Sequence, residues 1–113
     1  MLIEQTVKEY LDTVFAEDEV PVYLETPKTL PKKYIVFTLV DRGKDNHINE
    51  ATLEFMSYAD SKYEAALLDE KLREAMEEIV TYPDITCHLG GGNDNPDNTL
   101  KKYRYRSYFN LYY

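Results

Sequence analysis

His47, Cys87 and His88 are the only soft metal ligands in this 113-residue chain. A zinc centre needs three or four ligands that converge on one point. Cys87 and His88 are neighbours in a run that reads as a strand, so their side chains point to opposite faces. No metal site and no cofactor is expected, and Cys87 reads as a small strand residue. Asp94 and Asp97 alternate with Asn93, Asn95 and Asn98, which has the look of a calcium loop. The glutamate that an EF-hand places at its twelfth position is missing, because that position, counted from Asp94, is Tyr105. Gly90-Gly91-Gly92 follows a strand, but neither Gly-Lys-Ser/Thr nor a helix comes after it, so a phosphate cradle is not supported. Ser57, Ser61 and Ser107 lie in no nucleophile elbow. No pair of acids stands out from helix-surface charge. The chain is therefore not expected to be an enzyme, and no catalytic residue is assigned.

The run Leu100–Tyr113 carries the strongest binding signal. It reads as one long strand. Tyr103, Tyr105, Ser107, Phe109, Leu111 and Tyr113 share one face, and Arg104, Arg106, Tyr108, Asn110 and Tyr112 share the other. Tyrosine and arginine are favoured in desolvated contact surfaces. Aromatic and basic residues together also suit nucleic acid, where rings stack on bases and arginines hold phosphates. The Tyr-Arg-Tyr-Arg core lacks the glycine of the RNP1 pattern, and the formal net charge of -8 opposes generic nucleic-acid binding. The favoured reading is a sheet strand whose tyrosines pack and whose arginines pair with acids.

The elements that would position these residues follow from periodicity. Residues 2–16 read as an amphipathic helix with Ile3, Val7, Tyr10, Leu11, Val14 and Phe15 on one side. Val20–Thr26 is a short strand, and Pro21 near its start suggests an edge. Pro27 and Pro31 bracket a turn-rich linker. Tyr34–Val40 is a strand that is apolar on both faces, as expected when both faces are covered. Asp41–Glu50 reads as a polar loop of an extended hairpin, and Ala51–Tyr58 as the return strand. Ser61 and Glu64 form a capping box for a helix that runs to about Tyr82, where Pro83 closes it. Its expected core stripe is Tyr63, Ala66, Leu67, Leu72, Ala75, Met76 and Ile79. Ile85–Leu89 is a short strand, Gly90–Asn98 a flexible loop, and the terminal strand follows.

The order is α-β-β-β-α-β-β in one domain, residues 1–113. It predicts an α+β two-layer sandwich, a mainly antiparallel sheet with two helices on one face. Charge divides along the same lines. Residues 1–19 and 60–84 each carry a net of -5, while 26–44 and 100–113 each carry +4. Opposite surfaces of two copies could dock on that split. Two helices cover only one sheet face, so the apolar residues on the other face call for a cover, and a neighbouring copy is the natural one. A lone cysteine fits a reducing compartment. No apolar run approaches the ~18 residues of a membrane span. Met1–Phe15 carries acids where a signal peptide has a basic start, so a cytosolic or cytosol-assembled protein is expected.

With these segments laid out, the chain resembles the small tail-terminator and head–tail joining proteins of long-tailed bacteriophages and of prophages in Gram-positive bacteria. The likeness runs through Ile3-Glu4-Gln5, Pro21-Val22-Tyr23, Lys33-Tyr34-Ile35-Val36, and Asn46-His47-Ile48 ahead of the strand Ala51–Tyr58. It continues through Ser57-Tyr58-Ala59-Asp60-Ser61-Lys62-Tyr63-Glu64-Ala65-Ala66 and Tyr103-Arg104-Tyr105. These are structural patterns and none is catalytic. The resemblance implies an α+β fold and a homo-oligomeric ring, usually a hexamer, on the end of the tail tube. Such a ring stops tube polymerisation and offers a surface to the head connector. It would reside in the virion, after assembly in the host cytoplasm, with DNA only passing through the lumen and no contact with membrane.

Candidate interface residues are Arg42, Lys44, Asn46 and His47 in the first polar loop, Asn93 and Asp94 in the second, and Arg104, Arg106, Tyr108 and Tyr112 on the terminal strand. The arginines are expected to face the acidic helices, within the chain or across the ring. The competing readings are an acidic cytosolic adaptor or inhibitor that binds a basic partner, and a nucleic-acid binder using the Tyr/Arg strand.

Overall fold

The structure, a computed structural model, describes residues 2–25, 28–29, 31–45, 48–79, 85–94 and 103–113. The elements are α1 (Ile3–Val14), β1 (Val22–Tyr23), β2 (Tyr34–Asp45), β3 (Ile48–Ala59), α2 (Lys62–Glu78), β4 (Thr86–Asp94) and β5 (Tyr103–Tyr112). The expected order α-β-β-β-α-β-β is the observed one. The five strands form one sheet in the order β1-β2-β3-β5-β4. Only β1, at one edge, pairs parallel to its neighbour; every other pairing is antiparallel. Among the described residues no helix is long and apolar enough to cross a membrane.

Strand alternation decides where the core lies. On β3, Ala51, Leu53 and Phe55 are buried against the helices. Ile35 and Phe37 of β2 and Phe109 and Leu111 of β5 share that side. The rings of Phe37 and Phe55 stack at 5.0 Å, and Phe109 meets Phe55 edge-on at 5.6 Å. Helix α1 contributes Ile3, Val7 and Leu11, with Phe15 just beyond its end; α2 contributes Leu68, Leu72, Ala75 and Met76, followed by Ile79. The helices are tied together where the Tyr10 hydroxyl donates to the Ala75 carbonyl oxygen at 2.6 Å. Ser61 caps α2 by accepting from the Glu64 amide at 3.1 Å, one arm of the expected capping box.

Four segments differ from the sequence reading. The core stripe of α2 starts at Ala65, Leu68 and Leu72, whereas Tyr63 and Leu67 are 72 % and 47 % exposed. The expected stripe was rotated at its N-terminal end because Tyr63 and Leu67 keep a four-residue spacing of their own. Asp41–Asp45 and Ile48–Glu50 are strand rather than loop, and they form the arms of the expected hairpin. Strand β2 continues to Asp45 and β3 begins at Ile48, paired Asp45 to Ile48, Lys44 to Asn49 and Arg42 to Ala51. Its polar residues are compatible with strand because the ribbon is solvated, not because it lacks regular pairing. A twelve-residue strand spans about 40 Å, close to the 44 Å long axis of the molecule. Gly90–Asp94 likewise belongs to β4 and not to a flexible loop. Finally, β1 is shorter than expected, two residues at the sheet edge.

The second sheet face is partly covered by the chain itself. Tyr34, Val36 and Tyr58 form a small separate cluster with Tyr23 and Met56. The rings of Tyr34 and Tyr58 stack at 4.5 Å, and Tyr23 meets Tyr34 edge-on at 6.3 Å. This is where the two-sided apolar character of β2 is absorbed.

Phe55 sits at the centre of the aromatic row under both helices. Phe55→Ala is expected to cost about 3–5 kcal/mol in urea unfolding, whereas Tyr63→Ala changes stability by no more than about 0.5 kcal/mol. A comparable loss at both positions would contradict the observed packing of α2.

Candidate functional site

The candidate residues fall into separate regions and do not converge on one site. Arg42 and Lys44 lie on the β2–β3 ribbon. A bulge between Leu39 and Asp41 takes Val40 out of register and leaves it 52 % exposed. Beyond the bulge Arg42 lies opposite Ala51 and Lys44 opposite Asn49, so both cations share the helix side of the sheet. Tyr113 closes the root of the ribbon: its amide donates to the Asn49 carbonyl oxygen at 2.9 Å, and the Asn49 amide donates back at 2.8 Å. Arg42, Gly43, Lys44, Asn49 and Tyr113 line an open concavity of about 470 Å³. Asn46 and His47 lie outside the described residues.

Arg104, Arg106, Tyr108 and Tyr112 lie on the face away from the helices, where register pairs them with Tyr58, Met56, Glu54 and Glu50. The expectation that these arginines face the acidic helices of their own chain is therefore wrong. The residues that face the helices on β5 are Ser107, Phe109 and Leu111, and alternation sends the arginines outward. The arginines are engaged on their own face. Arg104 Nη1 donates to the Tyr58 hydroxyl at 3.2 Å, lies 3.6 Å from the Met56 sulfur, and its guanidinium sits 5.7 Å from the Tyr58 ring centre. Arg106 Nε lies 3.4 Å from Glu54 Oε1, with its guanidinium 5.9 Å from the Tyr108 ring. The same face carries a Thr52–Asn110 hydrogen bond of 2.8 Å, and the Tyr112 ring meets His88 at 5.9 Å. Asn93 and Asp94 pair through the backbone with Arg106 and Tyr105 at the end of β4.

The glycine run has a structural task. Register shifts between Leu89 and Gly91, and Gly91 takes a φ of 141°, a conformation strained for other residues. A Cβ at Gly92 would overlap the Arg73 guanidinium and approach the Arg106 carbonyl oxygen to 2.6 Å. Gly92 therefore opens the space in which Arg73 of α2 lies across β4.

Arg73 leads to a polar group that the sequence did not single out. Asp69, only 5 % exposed, faces the sheet from α2. Its Oδ2 lies 2.8 Å from Arg73 Nε. Ser107, fully buried on β5, sits beside the carboxyl without closing a well-aligned hydrogen bond. Burial raises the Asp69 pKa above its usual value, and Arg73 and Ser107 pull the other way. In sequence Asp69 sat among eight acids of its segment, and only its four-residue spacing to Arg73 and its place in the Leu68–Leu72 stripe marked it.

Cys87 is held as an unreactive thiol. Burial, with Glu77 adding to it, pushes its pKa up to about 12. At neutral pH almost no thiolate exists to act as a nucleophile. Among the described residues no group of three or more His, Cys, Asp or Glu side chains is placed to hold a metal ion.

Two outcomes follow for this layer. Gly92→Ala is expected to destabilise by about 1–3 kcal/mol, read by thermal unfolding; an unchanged midpoint would mean that Arg73 does not lie against β4. Asp69 binds its proton more tightly folded than unfolded, so its contribution to stability falls as pH rises from the unfolded value of 3.8 through the raised folded value. Asp69→Asn should flatten that decline and leave stability at pH 7 equal or higher, measured by urea unfolding between pH 3 and 7. A steeper decline in the variant would reverse the assignment.

No model of a known protein family matches this chain, and no characterised protein matches it in sequence.

Proposed function

We propose that the chain is a structural virion protein, a ring-forming tail terminator or head–tail joining component. In this reading it acts by surface complementarity and performs no catalytic step. Copies associate head to tail, and the ring closes when the rotation between neighbours closes. One side of the ring meets the tail tube and the other the neck, and DNA passes through the lumen.

The observation that carries this reading is the division of the sheet. One face is sealed by both helices, while the other is, among the described residues, covered at the Tyr34–Tyr58 end and continues into a solvated two-stranded ribbon. Such a molecule has a finished core and contact surface to spare. The two-layer α+β architecture is also the one that the resemblance to tail-terminator proteins implies. Arg104 and Arg106 lie among partners of their own chain, which favours sheet and assembly contact over phosphate binding. The adaptor reading draws on the exposed acids of α2 and predicts a monomer that captures a basic protein.

Electron microscopy of the purified protein, with and without tail tubes, tests the proposal. Closed rings, or rings seated on tube ends, are expected. A chain that stays monomeric and leaves tube ends bare would overturn it. Arg104→Glu combined with Arg106→Glu is expected to weaken assembly while unfolding stays cooperative, with a loss of about 1 kcal/mol from placing like charge diagonally beside Glu54. Undiminished assembly by the variant would remove this face from the junction.

A further inference from the structure

Among the described candidate residues, the cations of the ribbon combine exposure with the lack of an ion pair. Arg42 and Lys44 are both exposed, on a ribbon whose neighbours Val40, Asp41, Gly43, Ile48 and Asn49 are exposed as well. Among the described residues neither cation makes an ion pair, whereas Lys8, Lys33, Lys71, Arg73 and Arg106 each do. They sit on one side of the ribbon, beside the concavity closed by Tyr113.

A surface of opposite sign lies on the outside of α2. Glu70, Glu74, Glu77 and Glu78 are all exposed, and their spacing sets them on one face of the helix. None forms an ion pair among the described residues. Their placement is locally unfavourable on two counts. Like charges four residues apart, Glu70 with Glu74 and Glu74 with Glu78, repel. Acids in the last turns also oppose the helix dipole, and the last turn of α2 contains no basic residue. An external cation relieves both.

We infer that Arg42 and Lys44 on the ribbon of one copy dock against the Glu70–Glu78 face of α2 in a second copy. The occupant is a copy of this chain because one molecule carries both members of the charge-complementary pair. The two surfaces differ, so the contact is heterologous and each copy both gives and receives it. The inference rests on the ring reading and adds a pair of charged surfaces to a junction that the open sheet face alone does not define.

Charge reversal tests it. The arm variant is Arg42→Glu with Lys44→Glu, and the helix variant is Glu74→Lys with Glu78→Lys. All four positions are exposed, so both variants are expected to fold, and the helix variant, freed of the Glu70–Glu74–Glu78 repulsion, is expected to be at least as stable as the parent. Each alone should raise the self-dissociation constant by about tenfold or more at low salt, measured by sedimentation velocity. An equimolar mixture of the two variants should restore association, since each arm then finds a helix face of opposite sign. Carbodiimide coupling in a mixture of isotopically labelled and unlabelled parent should join Lys44 of one copy to Glu74 or Glu78 of another. Rings that form normally from the arm variant overturn this contact and leave the ring reading standing. Mixed variants that associate into dimers or open chains uphold the contact and overturn the ring. A parent that stays monomeric at the highest concentration and lowest salt overturns the contact, and tail tubes then decide the ring reading separately.

Discussion

The whole structure depends on the register of β3. It is the central strand, paired along its length with β2 on one side and β5 on the other. Its alternation sends Ala51, Leu53 and Phe55 under the helices and leaves Thr52, Glu54, Met56 and Tyr58 on the other face. A slip of one residue would exchange those sets, burying Glu54 beneath α2. The aromatic row Phe37–Phe55–Phe109 pins the register from three strands at once. The same register sets Arg104 over Tyr58 and Arg106 beside Glu54, so the chemistry of the open face is a consequence of how the core is packed.

The helix layer adds a polar lock to that apolar core. Asp69 and Arg73 project from α2 toward β5 and β4, and Gly92 leaves the room that Arg73 occupies. Burying a carboxyl is costly, and the Arg73 pair and nearby Ser107 offset only part of that cost. What the arrangement supplies is position. An apolar helix face can slide along a sheet with little change in buried area, whereas a charged pair seated at a glycine can meet it at one place only. The bulge at Gly90 belongs to the same device, since it re-aims β4 where α2 crosses it.

The legible parts of the fold were those in which burial and periodicity agree. The stripe Ile3–Val7–Leu11–Phe15, the run Tyr34–Val40 and the Ser61 cap all carry their signal in residue type. The polar residues of 41–50 point to a loop, yet its strands are held by backbone pairing, which side-chain character does not report. Gly90–Gly92 misleads for a similar reason: glycine marks both loops and close approaches, and only the contact with Arg73 separates them. Tyr63 and Leu67 misled because an exposed apolar pair at helical spacing is identical, in sequence, to the start of a core stripe. The direction of the arginines required knowing which face of β5 the helices cover. Periodicity sorted the two faces correctly without saying which was inside.

The residues most conspicuous by type are thus not those left most in need of a partner. The Tyr/Arg strand draws attention through composition, but its arginines lie among tyrosine rings, a thioether and Glu54 of their own chain. Much of their binding capacity is already used within the sheet. Arg42 and Lys44 stand in an ordinary polar stretch and attract little notice by type, yet the fold carries them onto an exposed ribbon where, among the described residues, neither makes an ion pair. Satisfaction is a property of three-dimensional neighbours, so a contact surface is better sought where the fold leaves charge unanswered than where the sequence concentrates it. By that criterion the ribbon outranks the terminal strand as a candidate contact surface.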